Sequence, residues 1–177
     1  MKHKFSRILC AALYCAPLVV AAQNNEKAAP LQQYYQEGKT LFQEKAYSAA
    51  IAPLRAFLQK AETEGSQPSH TGEVLEAEYM LACSAYEMRD GRSNEFLQNF
   101  LDNHPDTPHA NRIYALMASN YFFAQDYDNA LALFNASDLS LLADNERDDM
   151  TYRRAMCYLE TGKVKEAAIW FETLKNT

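Results

Sequence analysis

The chain repeats one short pattern four times, and this repetition constrains its fold more than any other feature. Each copy contains two stretches of helical periodicity, and each stretch places a small residue at one fixed position. Small residues at matching positions allow two helix backbones to approach closely. For the first and second helix of each copy, these residues are Gly38 and Ala50, Cys83 and Ser93, Ala118 and Ala130, and Ala155 and Ala167. Self-similarity of this kind predicts a solenoid of helical hairpins.

The aromatic and small residues of the copies resemble those of the tetratricopeptide repeat. The third copy shows the pattern most fully, with Tyr114, Ala118, Tyr121, Tyr127, Ala130 and Phe134. The resemblance implies an all-α fold, a right-handed α-solenoid of about four hairpins that follow an N-terminal signal peptide. The repeat domain covers 31–177, with approximate repeats at 31–64, 73–106, 108–143 and 145–177. The second copy has a shorter internal turn than the third, which leaves its register open.

Periodicity and turn residues place two helices in each hairpin. The predicted helices cover residues 31–44, 47–62, 73–88, 92–103, 108–124, 127–136, 145–160 and 164–176. Pro53 lies inside the second of them and predicts a bend or a late start, because proline lacks the backbone donor. Thr107 is the predicted N-cap of the fifth helix, with Pro108 at its first position.

The first 22 residues have the pattern of a secretory signal peptide. Three cations, Lys2, Lys4 and Arg7, precede an apolar run that ends in small residues at Ala22. Cleavage there would leave residues 23–30 as a linker. The alternative of a lipidated Cys15 stays open, although the bulky Tyr14 before it departs from the usual lipoprotein pattern. The sequence therefore predicts an exported protein of the periplasm or of the periplasmic face of the outer membrane.

The charge of the chain limits its partners. The formal net charge is −6, and loss of the signal peptide would remove three cations. An acidic chain is a poor match for nucleic acid or for a polybasic membrane contact, so we expect no nucleic acid partner and only indirect membrane association. A protein or peptide partner remains the favoured class.

No pattern in the sequence indicates catalysis, and we predict a protein that is not an enzyme and has no cofactor or metal. His104 and His109 flank Asp106, but this proline-bounded segment lacks the ligand spacing of a zinc site. The acidic cluster at 144–149 lacks the glycine and final glutamate of a calcium loop, and its carboxylates suit the start of a helix. Cys83 and Cys157 lie on first helices of non-adjacent repeats, which predicts buried thiols without a disulfide.

The resemblance also implies a binding surface on the concave face, which exposed positions of each first helix would line. The predicted partner-binding residues are Tyr35, Lys39, Phe42, Met80, Met88, Arg112, Phe122, Phe123, Tyr152 and Met156. Aromatic and methionine side chains supply adaptable contact area for an apolar helix or an extended peptide. The competing interpretation is that several of them belong to the core, because such residues at helical spacing are usually buried.

These observations predict an adaptor that holds another envelope protein. Phe96-Leu97 and Phe100-Leu101 resemble the repeats of bacterial envelope proteins that assemble outer-membrane components. Two alternatives stay open: a glycan-uptake accessory protein, although Trp170 is the single tryptophan, and the N-terminal piece of a longer repeat protein. The last helix is apolar, and such a surface is usually covered in a solenoid. A partner, a second copy of the chain through self-association, or further repeats would each cover it.

Overall fold

The computed structural model describes residues 31–63 and 71–175, which form eight α-helices and one short 3-10 helix at Leu139–Leu141. The predicted signal peptide and linker lie outside the described residues. The helices are α1 (Leu31–Gln43), α2 (Tyr47–Thr63), α3 (Thr71–Glu87), α4 (Ser93–Asn103), α5 (Ala110–Phe123), α6 (Tyr127–Ala136), α7 (Asp144–Glu160) and α8 (Val164–Lys175). No strand occurs in these two ranges, and the predicted all-α fold is confirmed.

The helices pack as four successive hairpins. Within the hairpins, α1 contacts α2, α3 contacts α4, α5 contacts α6 and α7 contacts α8. The second helix of each hairpin also contacts the first helix of the next one. Nearest-neighbour packing of this kind builds one continuous core along a stack, as in a helical-repeat solenoid.

The small residues that define the repeat are buried in every hairpin. Gly38 shows the reason most directly: a Cβ atom there would lie 2.6 Å from both Cγ and Cδ2 of Leu54 on the paired helix. Leu54 is itself fully buried and cannot withdraw into solvent. The two helices of the first hairpin therefore meet at a distance that only glycine permits.

Burial follows the position of each helix in the stack. In α2, the buried Ala50, Leu54, Phe57 and Ala61 fall three and four residues apart, so one face points into the core. In α5, by contrast, residues 115–119 are all buried. An inner first helix packs against neighbours on several sides, and this explains the unbroken run.

Each hairpin turn has the same backbone geometry. The second residue after the first helix adopts a left-handed conformation in all four: Lys45 (φ 61°), Arg89 (φ 55°), Gln125 (φ 60°) and Gly162 (φ 76°). The next backbone N–H then donates to a carbonyl five residues earlier, as from Ala46 to Leu41 at 2.9 Å and from Lys163 to Tyr158 at 2.8 Å. This is the Schellman arrangement, which satisfies carbonyl groups at the end of a helix.

Two predicted details are wrong. Helix α2 begins at Tyr47, as its predicted bounds have it, and continues through Pro53, so the alternative in which the proline marks a late start is the one that is wrong. Helix α5 begins at Ala110, two residues later than predicted, and Thr107 is not its N-cap. Turn hydrogen bonds explain the delay: the Thr107 N–H donates to the His104 carbonyl, and the Thr107 hydroxyl accepts from the His109 N–H at 3.3 Å.

None of the helices in the described ranges combines the length and the apolar character needed to cross a membrane.

Candidate functional site

An open groove with a volume of about 620 Å³ crosses the first helices of the hairpins. Side chains from α1, α3, α5 and α7, together with the turns after α1 and α3, line this surface, which we call the first-helix groove. Its lining combines aromatic and charged groups, among them Phe42, Tyr86, Phe123, Arg112, Glu146 and Arg153. Because all four hairpins contribute, the groove is a product of the whole stack.

Arg112 on α5 connects three first helices along the groove. Its Nε donates to both carboxylate oxygens of Glu146 on α7, at 3.0 and 2.9 Å. Its Nη1 donates to the Tyr79 hydroxyl on α3 at 2.6 Å and lies 3.2 Å from Cys83 Sγ. A guanidinium that bonds both oxygens of a carboxylate is held in one orientation. Arg112 therefore fixes α5 relative to the helices on both sides.

This cluster has perturbed ionisation. Burial raises the pKa of the Cys83 thiol to about 11, which Arg112 only partly opposes, and burial also raises the pKa of Tyr79. Burial is the largest single influence on Arg112 and by itself would lower its pKa, but the hydrogen bonds to Glu146 together with the electrostatic effects of Cys83, Tyr79 and Glu146 outweigh it, and the pKa lies above its ordinary value. At neutral pH the cluster thus holds a charged guanidinium beside a neutral thiol and a neutral phenol.

Arg153 on α7 forms a second connection across the groove. Its Nη1 donates to the Ser119 hydroxyl on α5 and, at 3.1 Å, to the Tyr86 hydroxyl on α3, while its Nη2 donates to Asp149. The hydroxyls of Tyr86 and Ser119 are themselves 2.9 Å apart. Ser119 is fully buried, so these bonds satisfy a polar group that water does not reach.

Phe123 is the most exposed aromatic ring of the groove, with 47% of its surface accessible. The guanidinium carbons of Arg89 and Arg153 each lie 4.7 Å from its ring centroid. Cation–π contacts at this distance hold the ring and both arginines in place. The groove therefore presents an apolar ring with positive charge beside it.

Lys45 and Arg89 stand at the mouth of the groove, in the turns after α1 and α3. Glu87 and Tyr47 lie beside them, and the pKa of Tyr47 is raised mainly by burial and secondarily by the charge of Glu87. Among the described residues, no carboxylate lies within ion-pair distance of the Lys45 or Arg89 side chain, and neither forms a side-chain hydrogen bond.

The structure brings three of the ten predicted binding residues into this groove: Phe42, Arg112 and Phe123. For two others, the prediction that they are exposed is wrong. Tyr35 is 5% exposed and packs against Phe57 in the core, and Met80 is 4% exposed. Both conform to the competing core interpretation, because their helix face points toward the neighbouring helix of the stack.

The remaining five predicted residues lie at the surface but outside the groove lining. Lys39 and Phe122 are half-buried against aromatic rings, and Met156 is half-buried on α7. Tyr152 is 48% exposed and contacts Phe171 of α8. Met88 lies in a smaller cleft of about 290 Å³ between α2, α3 and α4.

On α7, the predicted face and the observed one differ by a rotation of one residue. The prediction selected Tyr152, whereas the groove is lined by the following residue, Arg153; on α5 it selected both Phe122 and Phe123, of which only Phe123 lines the groove. One residue corresponds to about 100° around a helix. Periodicity identifies a face of this width only poorly when an inner helix is buried on several sides.

Sequence reasoning missed the groove residues Lys45, Arg89, Glu146, Asp149 and Arg153. A signal for part of this set exists. When the third and fourth copies are aligned on Ala118 and Ala155, Arg112 and Asp149 take the same position. Opposite charges at one position of adjacent first helices favour a contact between them, and Arg112 does pair with Glu146, one turn from Asp149.

The two histidines considered for metal binding have other partners. His104 Nε2 contacts Glu78, and His109 Nε2 lies 2.7 Å from Glu76. The His109 ring also stacks on Tyr79, with ring centroids 3.7 Å apart. Within 31–63 and 71–175, no three potential ligands among His, Cys, Asp and Glu are grouped closely enough to hold a metal. These pairs join α3 to the segment between α4 and α5.

The remaining predictions concern the two thiols and the last hairpin. Cys83 and Cys157 are free and buried, as predicted. Helix α8 exposes Val164 (61%) and Ile169 (64%). The ring of Trp170 is not a free stacking surface for a sugar, because the Arg154 guanidinium lies 3.8 Å from its ring centroid.

Comparison with known proteins identifies one repeat. A model of the tetratricopeptide repeat family matches residues 76–107, which contain most of α3 and all of α4. The comparison with curated proteins gave no match. The family match supports a tetratricopeptide repeat architecture, and repeats of this family generally act as non-catalytic scaffolds that mediate protein–protein interactions.

Proposed function

We propose that this chain is an exported adaptor that binds a segment of another envelope protein in the first-helix groove. The observation that carries the proposal is the groove itself, in which aromatic rings and fixed arginines from successive hairpins face one open channel. Rigid aromatic and arginine side chains contribute strongly to protein interfaces. The tetratricopeptide match at 76–107 adds a family whose repeats generally bind proteins.

The groove is organised before a partner arrives. Arg112 and Arg153 are each held by hydrogen bonds to two or more helices, so their orientation does not have to be fixed during binding. Preorganised side chains reduce the entropy lost on association. Phe123, between Arg89 and Arg153, is the natural anchor point for an apolar side chain of the partner.

Site-specific photocrosslinking in cells tests this proposal. A benzophenone amino acid would replace Phe123 in one variant and Tyr152 in another, and the two native side chains have nearly equal exposure, 47% and 48%. We expect a discrete crosslinked partner from position 123 and none from position 152. Crosslinks only from position 152 would assign binding to the face predicted from sequence, and crosslinks from neither would contradict the groove.

The cellular location rests on the sequence of residues 1–22, with its three cations and its apolar run. We place the adaptor in the periplasm or at the periplasmic face of the outer membrane. Amino-terminal sequencing of the protein purified from cells is expected to begin at Gln23. A chain that retains Met1 and fractionates with the cytoplasm would contradict export, and a lipid-modified Cys15 would change the mode of anchoring.

A further inference from the structure

Two cations at the mouth of the first-helix groove have no anionic partner in the described part of the chain. Lys45 and Arg89 line the groove, and within 31–63 and 71–175 the only charged or aromatic contact of the Arg89 guanidinium is the ring of Phe123, at 4.7 Å. A ring contact forms no hydrogen bond with a carboxylate, so the guanidinium N–H groups of Arg89 remain available as donors to a carboxylate of a partner.

The other charges of the groove are already balanced. Arg112 is paired with Glu146, and Arg153 is paired with Asp149. Glu87 is the remaining carboxylate of the lining, so one carboxylate offsets the two cations Lys45 and Arg89 without forming an ion pair with either. The mouth therefore carries a net positive charge, although the whole chain is acidic with 23 Asp and Glu against 17 Lys and Arg.

This charge contrast has a consequence for partner selection. An acidic segment is repelled by most of the protein surface and attracted to the mouth, which directs it to the groove. A basic segment would instead be attracted to most of the protein surface and repelled from the mouth. Next to the mouth, the exposed ring of Phe123 offers a contact for an apolar side chain.

From this arrangement, which rests on the proposed function, we infer that the partner segment is acidic: its Asp or Glu side chains pair with Lys45 and Arg89, and an adjacent apolar side chain packs on Phe123. The carboxylates belong to side chains, so the segment does not need a free C-terminus.

The hairpin turns provide variants that remove the charges without damaging the fold. Lys45 and Arg89 occupy left-handed positions, where glycine is the favoured residue. The variants Lys45→Gly and Arg89→Gly should therefore keep the fold while deleting the cations. Gln125 occupies the same position in the third turn and lies outside the groove lining, so Gln125→Gly is the matched control.

A random dodecapeptide library, joined to its carrier through the carboxyl ends, is selected on the purified protein and on the bare support. We expect the enriched peptides to contain excess Asp and Glu beside aromatic or aliphatic residues. For a selected peptide at about 0.15 M salt, Lys45→Gly with Arg89→Gly should weaken binding by roughly fivefold, since exposed ion pairs are individually weak. Gln125→Gly should leave the affinity unchanged, and Glu87→Gln should tighten binding by roughly twofold.

The outcomes separate the two proposals. Enriched peptides without an acidic excess, or equal binding by the double glycine variant, would overturn the acidic-partner inference while retaining the groove as a peptide site. If selection on the protein enriches no more than selection on the support, the groove function fails together with the inference. Loss of affinity in Gln125→Gly would assign the effect to the turn backbone and would also overturn the inference.

Discussion

At the scale of single residues, Gly38 shows how one side chain sets the distance between two helices. We predict that Gly38→Ala destabilises the protein by about 1 to 3 kcal/mol, although alanine is the better helix former by about 1 kcal/mol. The reason is steric: the new Cβ would overlap Leu54, which is fully buried, and would lie 3.2 Å from the Leu54 backbone nitrogen. Urea denaturation would measure the change.

Gly91 is the control for that substitution. Nothing lies within 4 Å of a Cβ placed there, and its φ is compatible with other residues. Gly91→Ala should therefore be neutral or slightly stabilising, because it reduces the freedom of the unfolded chain. A midpoint for Gly38→Ala equal to that of Gly91→Ala would show that the first two helices do not approach as closely as the structure indicates.

At the scale of the structural element, the hairpin turn is the most regular unit of the molecule. Three of the four left-handed positions hold residues other than glycine. We predict that Gln125→Gly raises the free energy of unfolding by about 1 kcal/mol, and that Gly162→Ala lowers it by a similar amount, because a Cβ is disfavoured at positive φ. Thermal and urea unfolding of the two variants would check both signs. A less stable Gln125→Gly protein would contradict the turn geometry.

The elements also show which structural information the sequence contains. Small residues such as Ala118 and Ala155 predicted the helix pairs correctly, because close helix contact restricts their size directly. Helix ends were predicted well where a turn follows, but the start of α5 was missed, because Thr107 and Pro108 form turns of their own before the helix. Local sequence does not reveal that competition.

The candidate groove was less predictable than the helices for a physical reason. A core position must be small or apolar, whereas a groove position has no such restriction and is defined only by how the neighbouring helices are rotated. Arg112 and Phe123 were identified, but Arg153 and Arg89 depend on contacts with other repeats and with a turn. Periodicity within one helix does not contain those contacts.

At the scale of the whole molecule, the stack is held by apolar packing within hairpins and by polar connections across first helices. Arg112 joins α3, α5 and α7, and Arg153 joins the same three helices at a second position along their length. Buried networks of this kind are specific in geometry, because each group needs its partner. The same side chains that form the groove wall therefore also fix how successive hairpins are oriented.

The titrating groups of the core predict a loss of stability in alkaline solution. Burial raises the pKa of Cys83 and Cys157, each to about 11, and also raises those of Tyr35, Tyr47 and Tyr79. The unfolded chain releases these protons at lower pH than the folded one, so stability is full below about pH 8.5 and falls as the pH rises toward 11. Urea midpoints between pH 7.5 and 10.5 would measure the decline.

An acidic protein also weakens at high pH through general charge repulsion, so a variant must isolate the specific contribution. Cys157→Ala removes one buried thiol and should make the decline with pH shallower, while Tyr35, Tyr79 and Cys83 continue to contribute. Thiolate absorbance near 240 nm offers a direct readout, since the two described thiols should stay protonated in the folded protein at pH 9 and ionise once urea unfolds it. Thiolate absorbance from those two residues at pH 9 without urea would show that the solenoid core admits water, and it would remove the basis for the predicted alkaline transition.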